Sequence, residues 1–101
     1  MIIYKYPLIG EVTELSMLPG AQVLDVQYQH GALVLWARAE QSKSRSKRWF
    51  YTRPTGHEYT DTLIGNEKYI ATVQDPNSAL VWHIFEGGKP VILLAKNWRK
   101  T

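Results

Sequence analysis

AQVLDVQYQHGALVLWARAE, residues 21–40, is the stretch that decides the fold, because two runs rich in Val, Leu and aromatic residues flank one turn dipeptide, His30-Gly31. This pattern predicts a β-hairpin with a two-residue turn. Counted outward from the turn, the predicted pairs are Gln29 with Ala32, Tyr28 with Leu33, Val26 with Leu35, and Leu24 with Ala37.

The two faces of this hairpin differ in composition. The face predicted to belong to the core carries Leu24, Val26, Tyr28, Leu33 and Leu35. The reverse face carries Val23, Asp25 and Gln27 against Arg38, Trp36 and Val34. A slip of one residue would mix the two faces, so the alternation favours this register.

The rest of the chain repeats the same kind of pattern. Residues 2–8, 11–18 and 49–53 are rich in β-formers and are bounded by turn residues, which predicts further strands. Residues 69–74 and 79–86 predict a second hairpin across a four-residue loop, with Gln74 opposite Ala79. Its predicted core face carries Tyr69, Ala71, Val73, Leu80, Trp82 and Ile84. Seven or eight short strands without a long helical period predict an all-β protein, either an antiparallel sandwich or a small barrel built from hairpins.

Length and composition indicate one domain in a reducing compartment. The 101 residues are 45% hydrophobic and 21% charged, which is ordinary for a globular domain large enough to have its own core. Cysteine is absent, and neither a leader pattern nor an apolar run of membrane-spanning length occurs, so we expect a cytoplasmic protein with no membrane contact. Residues 1–86 are predicted to form the β domain. Residues 87–101 are predicted to form a C-terminal extension, whose apolar run at 90–95 could be strand or helix.

A basic tract follows the first hairpin directly. Residues 41–48, QSKSRSKR, lack an apolar anchor, which predicts an exposed loop, and aromatic residues follow it. Cations that contact phosphates beside rings that stack on bases are typical of nucleic-acid binding without base readout. The residues predicted to bind nucleic acid or phosphate are Lys43, Arg45, Lys47, Arg48, Trp49 and Arg53.

Two Trp-Arg pairs suggest a protein interface instead. Trp36 lies on the reverse face of the first hairpin with Arg38, and Trp98 precedes Arg99 in the C-terminal tail. Exposed Trp and Arg side chains are common anchors of protein interfaces. Both pairs are candidate contacts with a partner protein or a second copy, and packing beneath a neighbouring strand is the alternative for each.

The sequence contains no motif for catalysis or metal binding. His30, His57 and His83 are isolated in a predicted turn, loop and strand, without the spacing that brings metal ligands together. Neither a GxSxG nor a GxxxxGK[ST] motif occurs. We therefore expect no enzymatic activity, no cofactor and no metal. The alternative is an enzyme whose site is assembled only in the folded chain, which would need a convergent pocket with perturbed acid-base groups.

Several blocks together resemble a family of small proteins of tailed phages and prophages. These blocks are IIYKYPL, LPGAQVLDVQYQHGALVLWA, the TGH of residues 55–57, and YIATVQ followed by ALVWHIFE. The resemblance covers roughly residues 1–86 and implies a product made in the bacterial cytoplasm, with no established activity to transfer. The family commonly has Pro-Cys before LWA, where this chain has residues 31–34, GALV, and it usually ends near the HIFE block.

Small phage proteins that bind a host component, such as those that counter host defence, provide the analogy for function. Two hypotheses follow. The first is a non-enzymatic accessory protein that binds a host protein. The second is a protein that binds a nucleic acid or a nucleotide signal through the basic tract. A homo-oligomer is a further prediction, because a small β domain has edge strands that a second copy can cover.

Overall fold

The protein folds into seven strands among the residues that its computed structural model describes, which are 1–58 and 67–90. The residues of the expected tail from 91 onward, including Trp98 and Arg99, lie outside this part of the chain. The strands are β1 (Ile2–Pro7), β2 (Val12–Met17), β3 (Gln22–Gln29), β4 (Ala32–Ala39), β5 (Ser46–Pro54), β6 (Lys68–Gln74) and β7 (Val81–Gly87).

The strands form two antiparallel sheets that pack face to face. One sheet has the order β1-β4-β3 and the other has the order β2-β5-β7-β6. Between them lies one core, in which both sheets contribute side chains with no exposed surface, namely Met17, Leu35, Phe50 and Ile84. The all-β prediction is confirmed, and of its two architectures the structure is the sandwich. No helix occurs in residues 1–58 or 67–90, so none there could cross a membrane.

The first hairpin has the predicted turn. His30 has φ 51° and Gly31 has φ 82°, so both turn residues lie in the left-handed region that a type I′ turn requires. The pairs Gln29 with Ala32, Tyr28 with Leu33 and Val26 with Leu35 are confirmed.

The register of this hairpin changes at Leu24. A β-bulge between Val23 and Asp25 makes Val23, not Leu24, the partner of Ala37, so the predicted pair of Leu24 with Ala37 is wrong. An extra residue in one strand reverses the side-chain alternation beyond it. Leu24 is consequently 42% exposed, and Val23 packs against the core although the alternation assigns it to the reverse face.

The second hairpin has a longer loop than the predicted one. Gln74 pairs with Val81 instead of Ala79, and the loop of residues 75–80 is closed by a 2.9 Å hydrogen bond from Asp75 N to Leu80 O. Side-chain acceptors stabilise the extra residues, because Asp75 Oδ1 accepts from Asn77 N at 2.8 Å and Ser78 Oγ accepts from Leu80 N at 3.2 Å.

The shift by two residues preserves most of the predicted core face. Ala71 lies opposite Ile84 and Val73 opposite Trp82, as that face requires. Tyr69 and Leu80 were wrongly assigned to it. A bulge at residue 70 turns Tyr69 outward, where it is 56% exposed, and Leu80 belongs to the loop.

Strand β5 begins at Ser46, three residues before the predicted start. Its first residues pair with β2, Ser46 with Met17 and Arg48 with Leu15, so the end of the basic tract is strand and not loop. Hydrogen bonds to β2 therefore hold in a strand residues that the local sequence predicts to be a loop.

Candidate binding site

A concave pocket lies between the two sheets at the end of the sandwich that holds the His30-Gly31 turn. Its volume of about 630 Å³ falls within the range of small-molecule sites. Four segments from both sheets meet there. Its walls are Leu8, Ile9, Gly10, Glu11, Tyr28, Gly31, Ala32, Leu33, Thr52, Pro54, His57, Leu80 and Trp82.

Backbone hydrogen bonds hold the β1–β2 connection in place as one wall. Leu8 N donates to Leu33 O at 3.0 Å, and Thr52 N donates to Glu11 O at 2.9 Å, so this connection is bonded to both sheets. Thr13 Oγ1 accepts from Ile9 N at 2.9 Å and donates to Ile9 O at 3.1 Å. These hydrogen bonds fix the wall as part of the fold.

Two buried polar atoms in the pocket lack hydrogen-bond partners. They are Thr52 Oγ1 and Trp82 Nε1. Thr52 lies opposite Ile84 and Pro54 opposite Trp82, so both polar side chains project from the inner face of the β5–β7 pair, two residues apart along the ladder. An indole N–H can only donate, and a buried donor without an acceptor costs about 1–3 kcal/mol. Both atoms have less than 1 Å² of accessible surface, so they lie behind the pocket lining and are not exposed to a molecule in the pocket.

The Tyr28 phenol lies next to the Trp82 indole. Burial raises the pKa of Tyr28 above its ordinary value of 10.0, the Asp75 carboxylate raises it further, and the Trp82 indole N–H lowers it. The indole is close enough to affect the phenol, but its N–H does not meet hydrogen-bond geometry with any acceptor. The phenol stays neutral at physiological pH and can donate or accept.

The rim of the pocket is apolar and open. Ile9 is 72% exposed and Leu80 is 40% exposed, although both line the pocket. Glu11 and His57 also line the pocket, and no Lys or Arg is among the described residues that line it. The site therefore favours apolar, uncharged groups and offers no cation to a phosphate.

The predicted interface pair Trp36 and Arg38 lies away from this pocket, on the outer face of the three-stranded sheet. Trp36 is half-buried between Lys5 of β1 and Asp25 of β3. Arg38 is exposed, and its Nε donates to Gln22 Oε1 at 2.9 Å. Their role as a contact surface stays a prediction, as does that of Trp98 and Arg99 beyond the described residues.

Exposed residues of the basic tract contact either neighbouring backbone or an exposed carboxylate on β2. Lys43 and Arg45 are exposed, and Arg45 Nη1 donates to the carbonyl oxygens of Ser42 and Ser44 at 2.9 and 3.0 Å. Lys47 lies 3.5 Å from Glu14, whose carboxylate also accepts from Trp49 Nε1 at 3.3 Å.

Arg48 of the tract and Arg53, farther along β5, have hydrogen-bond partners within the fold. Arg48 Nε and Nη2 donate to the Glu86 carboxylate at 2.6 and 2.8 Å, and Nη1 donates to Ala21 O at 2.6 Å. The bond to Glu86 raises the pKa of Arg48. Arg53 is 4% exposed and donates to both Glu67 oxygens, at 2.5 and 2.7 Å. Arg48 and Arg53 are therefore paired with carboxylates within the fold, and their role in phosphate binding stays a prediction.

The histidines are dispersed, as their spacing predicts. His30 is in the first turn, and His57 is at the pocket rim. His83 lies in β7, with Nε2 2.5 Å from Thr55 Oγ1 and Nδ1 3.1 Å from Thr72 Oγ1. Within residues 1–58 and 67–90, no three His, Asp or Glu side chains are grouped to hold a metal.

Sequence reasoning missed the pocket, although it assigned Tyr28 and Trp82 to core faces. Thr52 gave a usable signal, because strict alternation in β5 places it on the same face as the wholly buried Phe50. A hydroxyl and an indole on one inner face show where polar side chains interrupt the apolar core.

The fold and this pocket define a class, an all-β sandwich domain with a mainly apolar cavity between its sheets. Residues 1–92 match a family described as Domain of unknown function (DUF7352), and the chain belongs to that family. No curated protein and no solved structure matches the chain. The family description assigns no activity.

Proposed function

We propose that this protein is a non-enzymatic binding protein that engages a partner protein at the pocket end of the sandwich. The observation that carries the proposal is the pocket itself, with exposed Ile9 and Leu80 among the residues that line it. Exposed apolar residues around a concave site are typical of surfaces that a partner covers.

The proposed setting is the cytoplasm of a phage-infected bacterium, with a host protein as the partner. Support for this setting comes from the sequence blocks that resemble phage proteins and from the absence of cysteine. A role in countering host defence or redirecting a host factor follows by analogy with other small phage proteins.

Nucleic-acid or nucleotide binding through the basic tract ranks second. Lys43, Arg45 and Lys47 remain exposed, but the charges of Arg48 and Arg53 are matched by Glu86 and Glu67. A cation that is already paired with a carboxylate contributes less to phosphate binding. We therefore expect this segment to bind phosphates more weakly than its composition suggests.

Capture of proteins from a bacterial host extract tests the proposal through a matched pair of variants. Leu80→Asp places a charge at the pocket rim, whereas Leu24→Asp places one on β3 at nearly equal exposure, 40% against 42%. We expect a host protein that the parent and Leu24→Asp capture and that Leu80→Asp loses. Size-exclusion chromatography with light scattering shows whether a second copy is the partner.

Two results would contradict the proposal. Capture that is unchanged by Leu80→Asp would mean that the rim is not the interface. Loss of capture on replacing Lys43 and Arg45 by glutamine, together with salt-dependent oligonucleotide binding by the parent, would support the second function instead.

A further inference from the structure

We propose that β1 is a dimerisation edge, at which a second copy of this chain adds its own β1 in antiparallel orientation and joins the two three-stranded sheets into one. This inference goes beyond the proposed function, because the surface is a sheet edge instead of the pocket rim and the partner is a second copy.

The free edge of β1 presents backbone hydrogen-bonding groups. Among the described strands, β4 is the only neighbour of β1 in the sheet. Leu8 N donates to Leu33 O, and the register of β1 with β4, continued by one residue, places these two residues directly opposite each other. Bonded and unbonded pairs alternate in an antiparallel ladder, so Tyr4 bonds to β4. The N–H and C=O groups of Ile3 and Lys5 therefore point to the free edge.

The backbone groups on this edge are self-complementary. When the Tyr4 residues of two copies lie opposite each other on a two-fold axis, Ile3 of each copy lies opposite Lys5 of the other, and each such pair exchanges both of its N–H···O bonds. Pro7 is compatible with this edge, because its nitrogen faces the free side and its missing N–H costs no bond to β4.

β1 lacks features that discourage edge pairing elsewhere in the sandwich. Natural edge strands are protected by bulges, charges or a covering element. β3 and β6 each have a bulge and contact each other, whereas the ladder of β1 is regular over Ile2–Pro7. Ile3 is 62% exposed. Lys5 is the one charged residue of β1, and its Nζ donates to Gln29 Oε1 on β3 at 2.7 Å, so its charge lies across its own sheet, away from the free edge.

The open edge of β2 is less suited to pairing with a copy of itself. Thr52 N donates to Glu11 O, so the same alternation points the backbone groups of Val12, Glu14 and Ser16 to the free edge of β2. Two β2 strands paired about the middle of these residues would place Glu14 opposite Glu14. Like charges directly opposite each other destabilise a sheet, so β1 is the edge that favours a second copy.

Size-exclusion chromatography with light scattering tests the proposal through two proline variants. Ile3→Pro removes an N–H that points to the free edge of β1, and Ser16→Pro does the same at β2, so neither variant loses a backbone hydrogen bond within the chain. We expect the parent to have twice the chain mass of 11.6 kDa. Ile3→Pro should weaken dimerisation about tenfold or more, because each copy loses a hydrogen bond to the other, and Ser16→Pro should leave it unchanged. Circular dichroism checks that both variants fold.

Cysteine variants test the register independently of proline, because the chain contains no cysteine of its own. Tyr4→Cys places one thiol of each copy in an unbonded pair on the two-fold axis, where Cα atoms about 4.5 Å apart suit a disulfide. Tyr6→Cys is the matched control, because it lies on the same face but its Cα atoms would be about 14 Å apart in the dimer. We expect oxidised glutathione to link Tyr4→Cys into a covalent dimer and to leave Tyr6→Cys unlinked.

Several results would overturn this inference. They are a monomeric parent, equal dimerisation of the parent and Ile3→Pro, and equal cross-linking of the two cysteine variants. A mass that rises beyond two copies would also overturn it, because pairing about a two-fold axis closes at the dimer. Leu80→Asp separates this inference from the proposed function. Lost capture of the host protein with an intact dimer supports both, unchanged capture contradicts only the proposed function, and loss of the dimer would place the second copy at the pocket rim and overturn the role of β1.

Discussion

Replacing Arg48 by methionine removes a guanidinium that connects three parts of the sandwich. The methionine keeps the apolar stem of the side chain but cannot bond the Glu86 carboxylate on β7 or the Ala21 carbonyl at the start of β3. Arg48 and Glu86 are only 22% and 20% exposed, so the carboxylate left behind can recover part, but not all, of its hydration.

The size of the expected loss of stability follows from these contacts. A hydrogen bond to a charged group is worth about 1.5–3 kcal/mol, and breaking a buried ion pair costs about 3–5 kcal/mol. The residual exposure of both side chains lowers that figure, and we expect Arg48→Met to reduce the free energy of unfolding by about 2–3 kcal/mol. In a domain of this size, the melting temperature would fall by roughly 10–15 °C.

Urea denaturation followed by tryptophan fluorescence measures the effect, and Lys43→Met is its control. Lys43 belongs to the same basic tract but is exposed, so its replacement should change stability by no more than about 0.5 kcal/mol. Equal denaturation midpoints for the two variants would refute the structural role of Arg48. Glu86→Gln and the double variant complete a cycle that should give a coupling energy of about 1 kcal/mol or more.

Three further comparisons test other parts of the fold. Gly87→Ala places a Cβ 2.9 Å from the buried ring of Tyr51 and should lower the free energy of unfolding by about 1–3 kcal/mol, measured by urea denaturation. Gly88→Ala is the control and should not lower it, because no atom lies within 4 Å of the added Cβ. Burial raises the pKa of Tyr28, so its neutral form stabilises the fold below pH 10.0, and this contribution is lost as pH rises above 10.0 through the higher pKa of the folded state. A Tyr28→Phe variant should therefore lose less stability than the parent as pH is raised above 10.0, and an equal loss would contradict the assignment. Leu35 is wholly buried, so Leu35→Ala should lower the free energy of unfolding by about 2–5 kcal/mol. Leu24 is exposed, so Leu24→Ala should lower it by less than about 1 kcal/mol, and similar losses of the two variants in calorimetry would place both residues in the core.

Alternation within each hairpin was sufficient to predict most of the local structure. The two-residue turn and the pairs of Tyr28 with Leu33 and Val26 with Leu35 follow from side-chain period and turn chemistry alone. The bulge at Leu24 does not, because a bulge is selected by packing between sheets, which local sequence does not describe. The longer second loop depended on side-chain acceptors whose bonding a turn motif does not specify.

The candidate site was harder to predict, since its parts come from distant segments. The charges of Arg48 and Arg53 were visible in the sequence, but their partners lie 38 and 14 residues away. The pocket combines four segments and becomes visible only when the two sheets are stacked. The sequence identifies the charged and aromatic residues that could bind a ligand, whereas tertiary contacts determine which of them remain exposed.

The position of β7 sets an order for folding during synthesis. All strands of the β1-β4-β3 sheet lie within the first 39 residues, so this sheet can pair early. In the other sheet, β7 lies between β5 and β6 although it comes last among the described strands, so one edge of β5 has no partner until residues 81–87 leave the ribosome. Open edges of this kind promote aggregation. A chain that stops short of residue 81 therefore leaves β5 unpaired along one side and cannot complete the pocket.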